Sequence, residues 1–196
     1  VARAAPQQDA EHQAAGETLK QKPAASDPKA APPRKLPDHI QRAAEFLYSK
    51  QRPDGSWSNG SNWDLGVTAL CTWSLLECGV DRGRPQVAKA LGYLRTKKPT
   101  RTYEVALHTL ALCVGGDKND MPLIQNNVRA LEKGQIGRGP GKGAWSYGSG
   151  IDLATGDHSN SEFAVWGLAA AADFGAKVQP ATWEMAYDHW RQTQLG

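Results

Sequence analysis

Apolar positions between residues 38 and 194 recur with helical spacing, and two kinds of helix alternate along the chain. In "PDHIQRAAEFLYSKQ" Ile40, Ala43, Ala44, Phe46 and Leu47 line one face, which predicts an amphipathic helix opened by Pro37 and Asp38. "DLGVTALCTWSLLECG" follows and is apolar nearly all round, the pattern of a helix buried on most sides. "RPQVAKALGYLRTKK" is amphipathic and "TYEVALHTLALCVGG" almost wholly apolar. "MPLIQNNVRALEKGQ" is amphipathic, "NSEFAVWGLAAAADFG" apolar, and "PATWEMAYDHWRQTQ" amphipathic again. No strand pattern intervenes, so the fold class is all-α.

The apolar helices repeat. Val67-Thr68-Ala69-Leu70, Glu104-Val105-Ala106-Leu107 and Glu162-Phe163-Ala164-Val165 align, and the helices stop at Gly79, Gly115 and Gly175, as left-handed C-terminal caps would place them. Among the amphipathic helices Phe46-Leu47 matches Tyr93-Leu94. Repetition at this length predicts stacked helical hairpins. With one helix of each pair buried, an inner ring inside an outer ring results, a double-layered α/α barrel or toroid.

Composition separates residues 1–36 from the body at 37–196. The first segment is rich in Ala, Pro, Gln and Lys, with Leu19 and Leu36 its only leucines, and is expected to lack regular structure, as a tail or linker. A chain that starts at Val1 rather than Met is expected to have been processed or trimmed; a cleaved leader would favour an extracytoplasmic location. The net charge of +3, from scattered Lys and Arg, argues against a nucleic-acid partner. No apolar run is long enough to cross a membrane. Cys71, Cys78 and Cys113 lie on apolar helices and read as small core hydrophobes. Zinc ligand spacing is absent, so no metal or cofactor is expected.

One short stretch, "QRPDGSW" at 51–57, joins the first amphipathic helix to the first apolar one. Its Gln amide carries donors and an acceptor that can bridge the end of one outer helix to the start of the next inner one. Asp54 and Gly55 make the reversal, and Trp57 seals the junction. "RAAEFLYSKQRPDGSW" resembles the QW motif of the squalene cyclase, oxidosqualene cyclase and prenyltransferase repeat superfamily. Arg42, Phe46, Leu47, Gln51, Gly55 and Trp57 occupy the motif positions, and Ala43 replaces the usual Gly. "ALEKGQIGRGPGKGAWSYG" resembles a stretched copy with Gln135, Gly143 and Trp145. "HWRQTQLG" is similar to the first half of another, ending on Gln194. The resemblance implies a structural clamp at Gln51, Gly55, Trp57, Gln135, Trp145 and Gln194, and an α/α toroid that is incomplete at the C-terminus. An incomplete ring leaves Val67, Leu70, Val165, Leu168 and Phe174 without neighbours, which predicts self-association through open edges.

The chemistry of the resembling enzymes is not spelled out in this chain. The Asp-x-Asp-Asp acid of the cyclases, the Asp, Cys and His zinc set of prenyltransferases and the Cys-Gly-Glu-Gln of thioester domains are all missing. Inner helices that run the same way would gather their N-termini into one polar rim. Trp63, Asp64, Tyr103 and Asn160 fall there as binding candidates, with Asp64, Thr102 and Asn160 also suited to N-cap roles. Trp73 and Trp166 would line an apolar cavity. Cys71, His108 and Trp166 occupy equivalent repeat positions. If a catalytic site exists, Glu104, His108, Asp157, His158 and Glu162 are its candidates, centred on "GIDLATGDHSNSEFA". "DHSNSEFA" also resembles a string in bacterial squalene-cyclase-like repeat proteins of unassigned activity. Two readings stand: a cyclase-like or prenyltransferase-like domain binding an isoprenoid or lipid, or a non-enzymatic scaffold binding a peptide or glycan at the polar rim.

Overall fold

The computed structural model describes residues 36–147 and 156–194. Among these residues are seven α-helices: α1 (Asp38–Lys50), α2 (Asp64–Glu77), α3 (Pro85–Arg95), α4 (Thr102–Gly115), α5 (Met121–Gly134), α6 (His158–Phe174) and α7 (Pro180–Gln194). Among the described residues the only extended pairing is one isolated bridge, Trp145 with Asp157. The body is all-α, as the periodicity predicts. The expected tail lies outside the described residues except for Leu36, which packs against the hydrophobic core and so belongs to the body.

The apolar helices form an inner row in which α4 packs against α2 on one side and α6 on the other, while α3 and α5 lie on that row. Small residues set the spacing. Ala69, Ala106 and Ala164 are fully buried, and a Cβ added at Gly167 would stand 3.0 Å from the Ala106 Cα. Only α4 is buried all round, every residue from Glu104 to Leu112 being covered. The flanking α2 and α6 each keep an open face, which corrects the expectation that all three are enclosed. Of the residues expected at open edges, Leu70 is exposed and Val67, Val165 and Phe174 are half-buried. Leu168 is 0% exposed, because it points into the core shared with α4 and α5. Gly79, Gly116 and Gly175 carry the left-handed backbone after the inner helices; the cap of α4 is therefore Gly116, and Gly115 closes the helix under Leu91.

Two junctions built alike hold outer helices to one another. Gln51 Nε2 donates to the Gly55 carbonyl at 3.0 Å and to the Gln86 carbonyl, in the first turn of α3, at 2.7 Å. Gln135 Nε2 donates to the Gly143 and Thr182 carbonyls, both at 3.0 Å, the second in the first turn of α7. The amide thus ties one outer helix to the next outer helix, and not to the inner helix as expected. The Trp reaches back: Trp57 Nε1 donates to the Leu47 carbonyl and Trp145 Nε1 to the Leu131 carbonyl, each at 2.7 Å. Those carbonyls belong to last turns that have no intrahelical partner left to give them. The backbone N–H of each Trp then donates to a hydroxyl of the following inner helix, Thr68 or Ser161, at 2.9 Å. Ser161 is therefore the counterpart of Thr68, where the sequence alignment had put Phe163. Gln194, the third expected clamp residue, is exposed at the end of α7.

A further tie links two outer helices end to end. Arg95, at the end of α3, meets the buried Asp120 carboxylate with two N–H groups, at 2.7 and 2.8 Å, and touches Asp117 at 3.1 Å. This pair joins α3 to the start of α5.

Candidate functional site

Along the inner row five aromatic rings form a continuous series, its cluster closed on one side by Leu94 and Tyr93 of α3. Trp73 of α2 and Trp166 of α6 have centroids 6.1 Å apart; Phe163 stands 5.4 Å from Trp166, Tyr103 of α4 5.0 Å from Phe163, and Tyr147 6.0 Å from Tyr103. The series follows from helical spacing, since Phe163 and Trp166 are three apart on α6 and therefore share a face. Leu107 and Leu110 of α4 lie buried in the same cluster, with Leu65 at its margin. The surface remains open: Trp166 is 45% exposed, Tyr147 49% and Leu70 43%. A contiguous apolar patch of this kind marks a place for a ligand or partner, whereas Phe46 and Tyr187 are exposed apart from it. The structure so brings together Trp73, Tyr103 and Trp166 and adds Phe163 and Tyr147, which the sequence reading did not single out.

The polar candidates have other occupations. The Arg101 guanidinium lies 4.0 Å from the Trp63 ring and donates to the Asn62 carbonyl at 3.3 Å, so N-terminal ends of α2 and α4 do meet. Asp64 accepts from Arg52 at 2.7 Å and is not an N-cap; Trp63 holds that position. Glu104 is buried and folds back to the Thr100 and Arg101 backbone N–H groups at 3.4 Å, half of a capping box in which Arg101, not Thr102, is the cap. Thr102 donates instead to the Ser146 carbonyl.

Asp157 is the N-cap of α6. Its Oδ1 accepts from the Ser159 hydroxyl at 2.6 Å, the Asn160 backbone N–H at 2.7 Å and the Asn160 side-chain amide at 3.0 Å. Those donors, the Ser159 hydroxyl foremost, hold its carboxyl below the usual carboxylate range. Such a group stays ionised and is a poor proton donor. Asn160, expected at the cap, is buried one turn further in and serves Asp157. His158 is exposed with its ring 5.1 Å from Trp190 and 5.8 Å from His189, and Glu162 is exposed on α6. Most of the Gly-rich loop that was expected to centre a site, residues 148–155, lies outside the described residues.

His108 is a core residue, 1% exposed. Its Nε2 is 2.9 Å from the Leu94 carbonyl and its Nδ1 2.8 Å from the Asn127 side-chain amide. The carbonyl can only accept, so Nε2 carries the proton and Nδ1 accepts from Asn127. Burial lowers its pKa, favouring this neutral form. Leu94 is the repeat counterpart of Leu47 and Leu131. The middle repeat has Lys98 where the others have Gln51 and Gln135, and here a histidine from the inner helix serves the carbonyl that a tryptophan serves in the flanking repeats. The equivalence of Cys71, His108 and Trp166 does not survive: His108 is enclosed, Trp166 is open, and Cys71 is half-buried on the other flank of α2, its thiol pushed up to about 11 by burial. Cys113 is likewise pushed up to about 12.

A cleft of about 320 Å³ at the C-terminal end of α4, lined by Arg82, Leu91, Arg95, Gly115, Asp117 and Lys118, shares no lining residue with the aromatic series. Its cations are engaged: Arg82 with the Gly115 carbonyl, Arg95 with Asp120, and Lys118 with the Phe174 ring and carbonyl. Among the described residues no helix is long and apolar enough to cross a membrane, and no three His, Cys, Asp or Glu side chains converge as metal ligands would. No protein-family model matches the chain, and no curated protein does.

Proposed function

We propose that this chain is an arc of an α/α toroid of the squalene cyclase and prenyltransferase repeat type, and that its aromatic face binds a long apolar ligand of isoprenoid or lipid character without turning it over. The observation that carries the reading is the unbroken series Trp73, Trp166, Phe163, Tyr103 and Tyr147, open to solvent yet seated on the rigid inner row. The repeated clamps at Gln51–Trp57 and Gln135–Trp145 support the kinship, because both use the same donor and acceptor atoms. Flat rings offer large contact area at little entropic cost, which suits a flexible polyprenyl chain. The alternative of a peptide or glycan at the polar rim draws less support, since Asp64, Glu104, Asp157 and Asn160 are bound to groups of the chain itself.

Titrating the protein with farnesol while following tryptophan fluorescence tests the reading. Saturable quenching is expected, weakened at least about tenfold in Trp166→Ala. Quenching that does not saturate, or that is untouched by Trp166→Ala, would refute it.

A further inference from the structure

We infer that Asn59 is a modification site: in the loop between the first clamp and α2 it is poised to become aspartate and isoaspartate by cyclising onto the nitrogen of Gly60. Of the six asparagines in the chain, Asn59 alone is followed by glycine. The others precede Asn127, Trp63, Asp120, Val128 and Ser161, whose side chains crowd the nitrogen that would attack. Hydrogen bonds arrange the reacting groups. Asn59 Oδ1 accepts from the Ser61 backbone N–H at 3.1 Å and from the Ser61 hydroxyl at 2.5 Å. Two donors on this oxygen draw electrons from Cγ and stabilise the oxyanion that attack creates there. The Gly60 N–H donates to the Ser58 hydroxyl at 3.1 Å, so the proton that must leave already faces an acceptor. A Cβ at Gly60 would meet nothing within 4 Å, and residues 59–62 are exposed, so a ring has room to close and water can reach it.

The step needs only water. The Gly60 nitrogen bonds to Asn59 Cγ and gives up its proton, the Cγ–Nδ2 bond breaks, and Nδ2 leaves as ammonia with that proton. Water then opens the cyclic imide at either carbonyl, giving aspartate or isoaspartate; nothing is oxidised or reduced. A second turn in the same stretch shows what blocks this. Asp54 Oδ1 accepts from the Ser56 N–H at 3.0 Å and from its hydroxyl at 2.7 Å, the same arrangement around Gly55. There the Gly55 N–H is bound to the Arg52 carbonyl at 2.9 Å and the residue is buried against Lys89. The Asp54 carboxyl, held below its usual range by the Ser56 hydroxyl foremost, stays ionised and resists attack. At Asn59 conversion replaces an amide by a carboxylate and lowers the formal net charge of +3 by one. Isoaspartate also lengthens the main chain by one carbon just before Asn62, whose carbonyl holds Arg101 and so ties α2 to α4.

The test incubates the purified full chain at mildly alkaline pH, natively and unfolded in guanidinium, and follows each asparagine by peptide mass spectrometry. An isoaspartyl methyltransferase label locates isoaspartate. In the native chain Asn59 should gain about one mass unit at least about tenfold faster than any other asparagine, and faster than it does in the unfolded chain. Ser61→Ala should slow the native reaction severalfold and leave the unfolded rate nearly unchanged. Gly60→Ala should slow both about tenfold or more. An Asn59 that keeps its amide, or that reacts more slowly in the native chain than in the unfolded one, would overturn the inference. So would a native rate that Ser61→Ala leaves untouched, since the loop would then add nothing to the Asn-Gly sequence itself.

Discussion

The Nε2 atom of His108 stands 2.9 Å from the carbonyl oxygen of Leu94, in the place where Trp57 and Trp145 present an indole N–H to Leu47 and Leu131. A tryptophan donor cannot titrate in water. A histidine can, and the substitution makes the middle junction sensitive to acid. Burial holds the His108 pKa below its ordinary 6.5, with the Leu94 bond and the Asp120 charge opposing only in part. The unfolded chain therefore takes up a proton that the folded one resists, and stability falls as pH drops below the unfolded value. His189, whose pKa is also lowered, by burial and then by His158, acts in the same sense. The urea midpoint should accordingly decline between about pH 7 and pH 5, and His108→Gln should flatten part of that decline. A midpoint with the same pH slope in wild type and variant would show that His108 does not carry the effect.

The two tryptophans can be compared by a pair of substitutions. Trp57 is 3% exposed and Trp145 0%. Truncation to Ala should cost about 3–5 kcal/mol at either position through lost contacts and the void left behind. Trp→Phe keeps most of the ring but leaves the Leu47 or Leu131 carbonyl without its donor, at a cost of about 1–3 kcal/mol. Equilibrium denaturation of the four variants checks both figures. Phe variants as unstable as Ala variants would mean that the indole N–H, and not the ring volume, governs the junction.

Two glycines complete the clamps. Gly55 has φ +90°, and a Cβ there would lie 2.5 Å from the Lys89 carbonyl oxygen; Gly143 has φ +89°, and its Cβ would overlap the Met185 carbonyl. Gly60, at φ +81°, has open space around it. Gly60→Ala should cost only the backbone strain, about 1–2 kcal/mol. Gly55→Ala and Gly143→Ala should cost more, about 3 kcal/mol or above, because an outer helix must also move. Three equal losses in thermal melts would show that the close helix approach is not a constraint.

How far this was legible in the sequence depends on the range of the interaction. Helix type and order follow from apolar spacing, a local signal, and the junction residues Gln51, Gly55 and Trp57 sit within one short stretch. The middle junction was hidden because its donor, His108, comes from the interior of α4, where a histidine on an apolar stripe looks like any core residue. The repeat register is obscured for a related reason: Glu104 and Glu162 look alike, yet the hydroxyls of Thr68 and Ser161 that meet the Trp backbone set the true correspondence. Glu104 turned out to cap its own helix. The bond from Arg95 to Asp120 joins two helix ends, and no periodicity announces it. Of the aromatic face, Trp73, Tyr103 and Trp166 were readable from helix position. Phe163 was hidden by the wrong register, and Tyr147 lies on no helix.

The last expectation concerns turnover. Cyclising a polyprene requires a strong acid aimed at an alkene in a dry cavity, because a carbocation must be formed and then kept from water. Here Trp166 and Tyr147 are about half open to solvent, and Glu77 on the same face receives the Trp73 indole N–H. Asp157 is kept ionised by its three donors. Prenyl transfer from a diphosphate would need cations at the leaving group, and the inner helices supply no Lys or Arg. Incubating the purified chain with squalene, and separately with farnesyl diphosphate and a thiol peptide, should therefore yield no product above the protein-free control by mass spectrometry. A cyclised or prenylated product that Trp166→Ala abolishes would show that the aromatic face, open as it is, carries out chemistry.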